Sequence, residues 1–121
     1  MRIYRPYRDE IPWELLSAGD DPQPVLAEDA LMRVAKYHDE VVGVYLIVPH
    51  QPLSFRLDIL VVVEAFRRRG VGRWLLGHAI GLAESKGGRE LVLDAARPSR
   101  FFLAAGFEPH GAGSKLTFTP E

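Results

Sequence analysis

The sequence predicts an α/β (α+β) domain in which one mixed sheet carries helices on its faces. Three features point there. Residues 57–63 are apolar except for Asp58, as a strand buried on both faces would be. Residues 71–85 place apolar side chains at helical spacing over four turns. Short β-rich runs lie on both sides of that helix, and no linker, repeat or low-complexity segment divides the 121 residues, so 1–121 reads as a single domain.

Taken in order, residues 2–6 read as a short strand ended by Pro6. Asp9 and Glu10 precede Pro12, with Trp13, Glu14, Leu15 and Leu16 after it, the pattern of a helix start with Pro12 near its first position. Gly19-Asp20-Asp21-Pro22-Gln23-Pro24 is turn chemistry that interrupts this helix, and residues 25–30 offer one more helical turn. Residues 31–37 and 41–48 form two β-rich runs joined as a hairpin through His38-Asp39-Glu40. Pro49-His50-Gln51-Pro52 ends the second run, and a third strand spans 53–63. In the helix at 71–85 the apolar positions are Val71, Trp74, Leu75, Ala79, Leu82 and Ala83. Gly77 and Gly81 each cost roughly 1 kcal/mol of helix propensity, which close approach to the sheet would offset. Gly87-Gly88 stops the helix and Leu91-Val92-Leu93 is a short buried strand. Residues 98–105 form a last helix, with Pro98 at N1 and Gly106 as its C-terminal cap, and 107–119 read as strand, glycine turn and strand.

Composition narrows the function. A 47% hydrophobic and 26% charged chain is an ordinary globular one. No apolar run approaches the roughly 20 residues that cross a bilayer, and Met1-Arg2-Ile3-Tyr4-Arg5-Pro6 lacks a signal-peptide core, which argues against a membrane partner. Without cysteine there is no disulfide, thiolate nucleophile or zinc–thiolate site, and the expected location is the cytoplasm. The four histidines form no H-x-x-x-H pair, so no metal is expected. Fifteen basic and sixteen acidic residues give a net charge of −1, unlike a nucleic-acid binder. The cluster Arg67-Arg68-Arg69 with Arg73 instead suggests a small local anion.

That cluster lies where an anion site is most readily built. A buried strand runs through Val62-Val63-Glu64-Ala65-Phe66 into Arg67-Arg68-Arg69-Gly70-Val71-Gly72-Arg73, which opens the long helix. The first N–H groups of a helix lack internal partners and sit at the positive end of its dipole. Gly70 and Gly72 remove side chains that would keep a phosphate away, and the arginines add charge-assisted hydrogen bonds. A Walker A loop needs Gly-Lys-Ser/Thr, which is missing, and a dinucleotide fingerprint needs a third glycine where Leu75 stands.

Arg67-Arg68-Arg69-Gly70-Val71-Gly72 does match R/Q-x-x-G-x-G/A, and so resembles the acetyl-CoA pyrophosphate motif of the GNAT family of N-acetyltransferases. Residues 32–45 (MRVAKYHDEVVGVY) resemble that family's second and third strands, and Phe101-Phe102-Leu103-Ala104-Ala105-Gly106-Phe107 its late helix ending in Gly-Phe. The resemblance implies a mostly antiparallel sheet splayed between its fourth and fifth strands, with acetyl-CoA as acyl donor. Backbone groups of Leu60, Val61 and Val62 would pair with the pantetheine arm, and the amides of Arg69, Gly70, Val71, Gly72 and Arg73 would cradle the pyrophosphate beside Arg67 and Arg68. The arm would lie between Val61-Val62 and Leu93-Asp94, with Phe101 and Phe102 lining the thioester end.

The implied reaction is direct attack of a neutral amine on the thioester. It needs a base, an oxyanion donor and a proton for the thiolate. By the same resemblance the oxyanion donor is the Val62 N–H. Many family members carry a tyrosine four residues before the glycine of Gly-Phe; Phe102 stands there, leaving water or Ser99 to supply the proton. Asp58, a carboxylate interrupting an apolar strand, is the candidate base, or else a hydrogen-bonded strand residue. Glu64 reads as a surface residue and Asp94 as a strand-end aspartate beside the cleft; His50, His78 and Tyr45 are lesser candidates. The short N-terminal region leaves the acceptor pocket open or completed by a second subunit. An alternative role is a regulatory acetyl-CoA sensor, because LDILVVVEAFRRRGVGR also resembles the sensor subgroup that acts on aspartate 1-decarboxylase.

Overall fold

The computed structural model describes residues 1–16, 26 and 28–118. In chain order the elements are β1 (Arg2–Tyr4), α1 (Trp13–Leu16), β2 (Leu31–Tyr37), β3 (Glu40–Gln51), β4 (Ser54–Val62), α2 (Val71–Ser85), β5 (Glu90–Leu93), α3 (Arg100–Ala105), β6 (Glu108–His110) and β7 (Gly113–Thr117). The strands form one sheet ordered β1-β2-β3-β4-β5-β7-β6. Every pairing is antiparallel except β4 with β5. The sheet is therefore mixed and mostly antiparallel.

Two apolar clusters sandwich the sheet. On one face Tyr45, Ile47, Phe55, Leu57 and Leu91 pack beneath Val71, Leu75, Leu76, Ala79 and Ala83 of α2. On the other, Met32, Val34, Val44, Leu46 and Val48 meet Leu15 and Leu16 of α1. Helices thus lie on both faces, as the burial pattern of β3 and β4 demands.

The β2–β3 hairpin turns through His38 and Asp39, both at positive φ (48° and 66°), the two-residue geometry whose twist suits paired strands. Three irregularities then shape the sheet. Val42 is passed over where Ala35 pairs Gly43 and Lys36 pairs Val41. Asp58 is passed over where Leu46 pairs Ile59 and Ile47 pairs Leu57, and His50 where Pro49 pairs Phe55 and Gln51 pairs Ser54. Each is a β-bulge, which bends its strand and re-aims its side chain. The bulge at Asp58 explains why Leu57 faces α2, Ile59 the opposite core, and Leu60 and Val62 α2 again.

Several sequence expectations are corrected. Strand β3 runs on through Pro49 to Gln51; past Ile47 it is paired only with β4, the edge-like setting in which proline is tolerated. Before α1 there is a separate 3-10 turn, Arg8–Glu10, and Pro12 lies just outside α1. Its Glu10 accepts the Tyr7 N–H at 3.1 Å and pairs with Lys36, which ties this turn to β2. Residues 28 and 29 form a turn and not helix, and the expected turn at 19–24 lies outside the described residues. Helix α3 begins two residues later than expected: Ser99 is its N-cap and Pro98 precedes the helix. Gly106 caps its C-terminus at φ 107°, as expected.

The two glycines of α2 also differ from expectation. A Cβ added at Gly77 or Gly81 meets nothing within 4 Å, and both positions are exposed, so neither lies against the sheet. Close packing occurs instead at Gly43, where a Cβ would stand 2.7 Å from Leu75 Cδ1. Gly77→Ala and Gly81→Ala are therefore expected to stabilise the fold by roughly 0.5–1 kcal/mol each, read as a higher urea midpoint at unchanged slope.

Tyr45 is wholly buried and its hydroxyl lies 2.6 Å from His78 Nδ1. Burial raises the phenol well above its usual range, while burial and the nearby Arg33 hold the imidazole below its ordinary value. The phenol thus stays protonated and the ring neutral, and the two share one hydrogen bond. The sign for His78 is that of a depressed group: its contribution is present above the ordinary histidine pKa and lost as pH falls through the folded value. The Tyr45 contribution is full below about pH 10 and lost as pH rises beyond it. Tyr45→Phe is expected to flatten the alkaline limb of a Tm-against-pH curve and to leave the acid limb, which burial and Arg33 set, in place.

Candidate active site

The end of β4 sets the site. Val63 N–H donates to Val42 O at 2.9 Å, back toward β3. Backbone groups alternate along a strand, so those of Val62, and of Leu60 two residues earlier, point to the other edge. There β5 has diverged: it pairs with β4 only at Ser54–Glu90, Phe55–Leu91 and Arg56–Val92. Instead of a strand partner, the Val62 carbonyl accepts Arg67 Nε at 2.9 Å.

A 3-10 turn, Glu64–Phe66, follows, and the Arg69 guanidinium sits 5.5 Å from the Phe66 ring centroid. Arg68 and Gly70 both adopt left-handed φ, 63° and 83°. Glycine takes this conformation freely, while arginine holds it at a cost of about 1–3 kcal/mol. The turn delivers the chain directly into α2. Trp74 N–H makes the first helical bond, to Gly70 O at 3.0 Å, so the N–H groups of Val71, Gly72 and Arg73 have no partner within the helix. No side chain caps this end, and no acidic residue stands in the first turn.

A cavity of about 570 Å³ lies in front of these amides, the size of an ordinary cofactor site. Leu60, Val62, Gly70 and Gly72 form its floor, Arg67, Arg68 and Arg73 its charged wall, and Ser99, Phe101 and Phe102 its far side. Three guanidinium groups and no carboxylate face the space. Helix dipole and side chains therefore act in the same sense on a polyanion. Phe101 closes over Gly72, where an added Cβ would stand 3.4 Å from its ring.

A second space, about 470 Å³, fills the wedge where β4 and β5 part. It shares Leu60, Ser99 and Phe102 with the first cavity and adds Asp58, Leu93 and Asp94. The structure thus joins ten of the residues read from the sequence in one cavity and puts Asp58 and Asp94 in the adjoining wedge. The side chains of three others lie outside both spaces, although it is their backbone groups that the resemblance assigns. Val61 packs into the opposite core, Val71 is buried under the loop, and Arg69 is stacked on Phe66.

Among the chemical candidates, Asp58 is held by Arg56, Nε to Oδ1 at 2.5 Å and Nη2 to Oδ2 at 3.2 Å. Ser99 makes no side-chain capping bond to α3, so its hydroxyl is free to face either cavity. Phe102 stacks edge-on against Phe107 at 5.4 Å and Phe101 at 5.1 Å. Glu64 is exposed, and the Tyr45–His78 pair lies on neither cavity wall. Among the described residues no group of three or more His, Asp or Glu is placed to hold a metal. Sequence reasoning missed Arg56 and His110. The spacing of Arg56 and Asp58, two apart on a strand, was a signal for the former; nothing local marked the latter.

A strand splay beside a basic, uncapped helix N-terminus is the frame of an acyl-coenzyme A-binding domain. The chain belongs to the acetyltransferase (GNAT) family, whose sequence profile it matches over residues 2–107. Curated protein sequences yield no significant match. Among solved structures, an IAA acetyltransferase from Bacillus cereus is 28% identical with a TM-score of 0.71, covering 88% of this chain and 76% of that one. A GNAT family acetyltransferase from Elizabethkingia anophelis with acetyl-CoA bound shares the fold at 24% identity and TM-score 0.71, covering 88% and 75%. An aminoglycoside 6'-N-acetyltransferase complexed with coenzyme A does so at 16% and 0.67, covering 78% and 76%. The protein is an acyltransferase of this family.

Proposed function

We propose that the protein transfers the acetyl group of acetyl-CoA to a primary amine by direct attack. The observation that carries this is the continuity of the acid-free arginine cavity with the β4–β5 wedge. The pyrophosphate binds the amides of Gly70 to Arg73, with Arg67, Arg68 and Arg73 around it. The pantetheine arm pairs with the open backbone edge at Leu60 and Val62, which brings the thioester into the wedge beside Phe102. As the amine attacks, negative charge develops on the thioester oxygen, and the Val62 N–H faces that edge. Ser99 or water returns a proton to the thiolate.

No helix among the described residues is long and apolar enough to cross a membrane, and the absence of cysteine supports a cytoplasmic setting. A second reading rests on Phe102, which puts no hydroxyl at the thioester end: the protein binds acetyl-CoA as a sensor without turning it over. Calorimetric titration with acetyl-CoA, followed by thiol-release assays over a panel of primary amines, tests both. Binding with release of coenzyme A supports the transferase, binding without release from any amine supports the sensor, and no binding at millimolar ligand removes both.

A further inference from the structure

A third cavity, about 580 Å³, opens from the wedge on the side away from the arginine loop. It shares Asp58, Leu93 and Asp94 with the wedge and no residue with the arginine cavity, so the three spaces adjoin in series along the splay. Its polar lining is His50, Arg56, Asp58, Asp94, His110 and Ser114. Two of these, His50 and Asp58, are bulge residues of β3 and β4. Two separate irregularities therefore turn a histidine and an aspartate into the same space, a placement that regular strands would not give.

The charges there are not equivalent. Arg56 is engaged through two nitrogens by Asp58. Ser114 Oγ is spent on the Ala95 carbonyl. Asp94 makes no hydrogen bond or ion pair with any described residue, although its charge reaches Arg56. The mouth itself therefore offers one unengaged carboxylate and two imidazoles, while the guanidinium of Arg97 lines the wedge rather than the mouth. This is a lining that attracts an ammonium group and repels a carboxylate.

We propose, resting on the transferase reading above, that this mouth is the acceptor site and that it selects small cationic primary amines lacking a carboxylate. Asp94 holds the ammonium at the entrance. One of the two imidazoles, His50 or His110, takes a proton from it, leaving the neutral amine and an imidazolium. The amine nitrogen forms the C–N bond as the C–S bond breaks. The second nitrogen proton passes through Ser99 or water to the departing thiolate, giving the amide and coenzyme A, and the imidazolium returns its proton to solvent.

Butylamine and 4-aminobutanoate, which differ at the carboxylate, are the probes. Acetyl-CoA binding by the unaltered protein is measured first and decides the parent reading on its own. Given binding, kcat/KM for butylamine is expected to exceed that for 4-aminobutanoate at least tenfold. Asp94→Asn is expected to raise the butylamine KM about tenfold or more and to narrow that ratio, an effect read separately from the acetyl-CoA Kd because Asp94 also borders the wedge. The double variant His50→Gln/His110→Gln is expected to lower kcat about a hundredfold with little change in KM. All three side chains are exposed, so these variants retain the fold. In coenzyme A-loaded protein, butylamine is expected to shift the ring resonances of His50 and His110 but not those of His38 or His78. Equal turnover of the two amines, or an unchanged KM in Asp94→Asn, overturns the proposal while leaving cofactor binding intact. So does binding of acetyl-CoA with no turnover of butylamine and no shift at His50 or His110.

Discussion

Gly72→Asp is expected to reduce acetyl-CoA affinity at least a hundredfold, about 2.7 kcal/mol, while leaving the protein folded. The two halves of that expectation have separate causes. Gly72 stands at the second position of α2, on the floor of the arginine cavity, and a carboxylate there occupies the phosphate position with like charge. The same carboxylate suits the fold. It meets the positive end of the α2 dipole, which has no acidic residue in its first turn, and a Cβ at this position makes contacts no closer than 3.4 Å. Calorimetry should lose the binding heat as Tm holds or rises slightly. Undiminished affinity in this variant removes the loop assignment; a collapsed Tm would mean that packing against Phe101 is tighter than the geometry allows.

The ease of locating this loop contrasts with the far side of the splay, and the reason is physical. A helix N-terminus that binds an anion needs its glycines and arginines close together in sequence. Gly70, Gly72 and Arg67 to Arg73 can therefore be read as a unit. Helix α2 matched its expected bounds for the same reason: its start at Gly70 and its stop at Gly87 are local conformational signals. The acceptor mouth has no such compactness. Its residues come from β3, β4, β5 and the β6–β7 turn, and two of them reach it only because a strand slips by one residue. A bulge leaves almost no mark in a run such as Leu57 to Val63, where nearly every side chain suits either face. The misreading of Gly77 and Gly81 has a related origin. Spacing of four shows that two residues share a helix face but not which face, and here they share the exposed one with Trp74 nearby, 42% exposed.

Leu75→Ala is expected to destabilise the fold by about 2–5 kcal/mol and to lower Tm by about 10 °C. Leu75 is wholly buried in the cluster between α2 and the sheet, and its Cδ1 occupies the space that a side chain at position 43 would need. That contact also fixes how closely α2 approaches the strand pair. Gly43 pairs with Val62, the residue whose outer backbone edge faces the cofactor cavity, so the packing of Leu75 on Gly43 sets the distance from the α2 amides to that edge. Gly43→Ala alone forces a methyl group against Leu75 at 2.7 Å and against the Val61 carbonyl at 3.3 Å, and is expected to cost about 1–3 kcal/mol. Combined, the two substitutions should compensate, since the new methyl enters the space the leucine vacates. A double-mutant cycle read by urea melts is expected to show the pair less destabilising than the sum of the singles by about 1 kcal/mol or more. Strict additivity would show that α2 and β3 relax independently. In that case the spacing between the anion loop and the pantetheine edge must be held by Val71 and Leu76 instead.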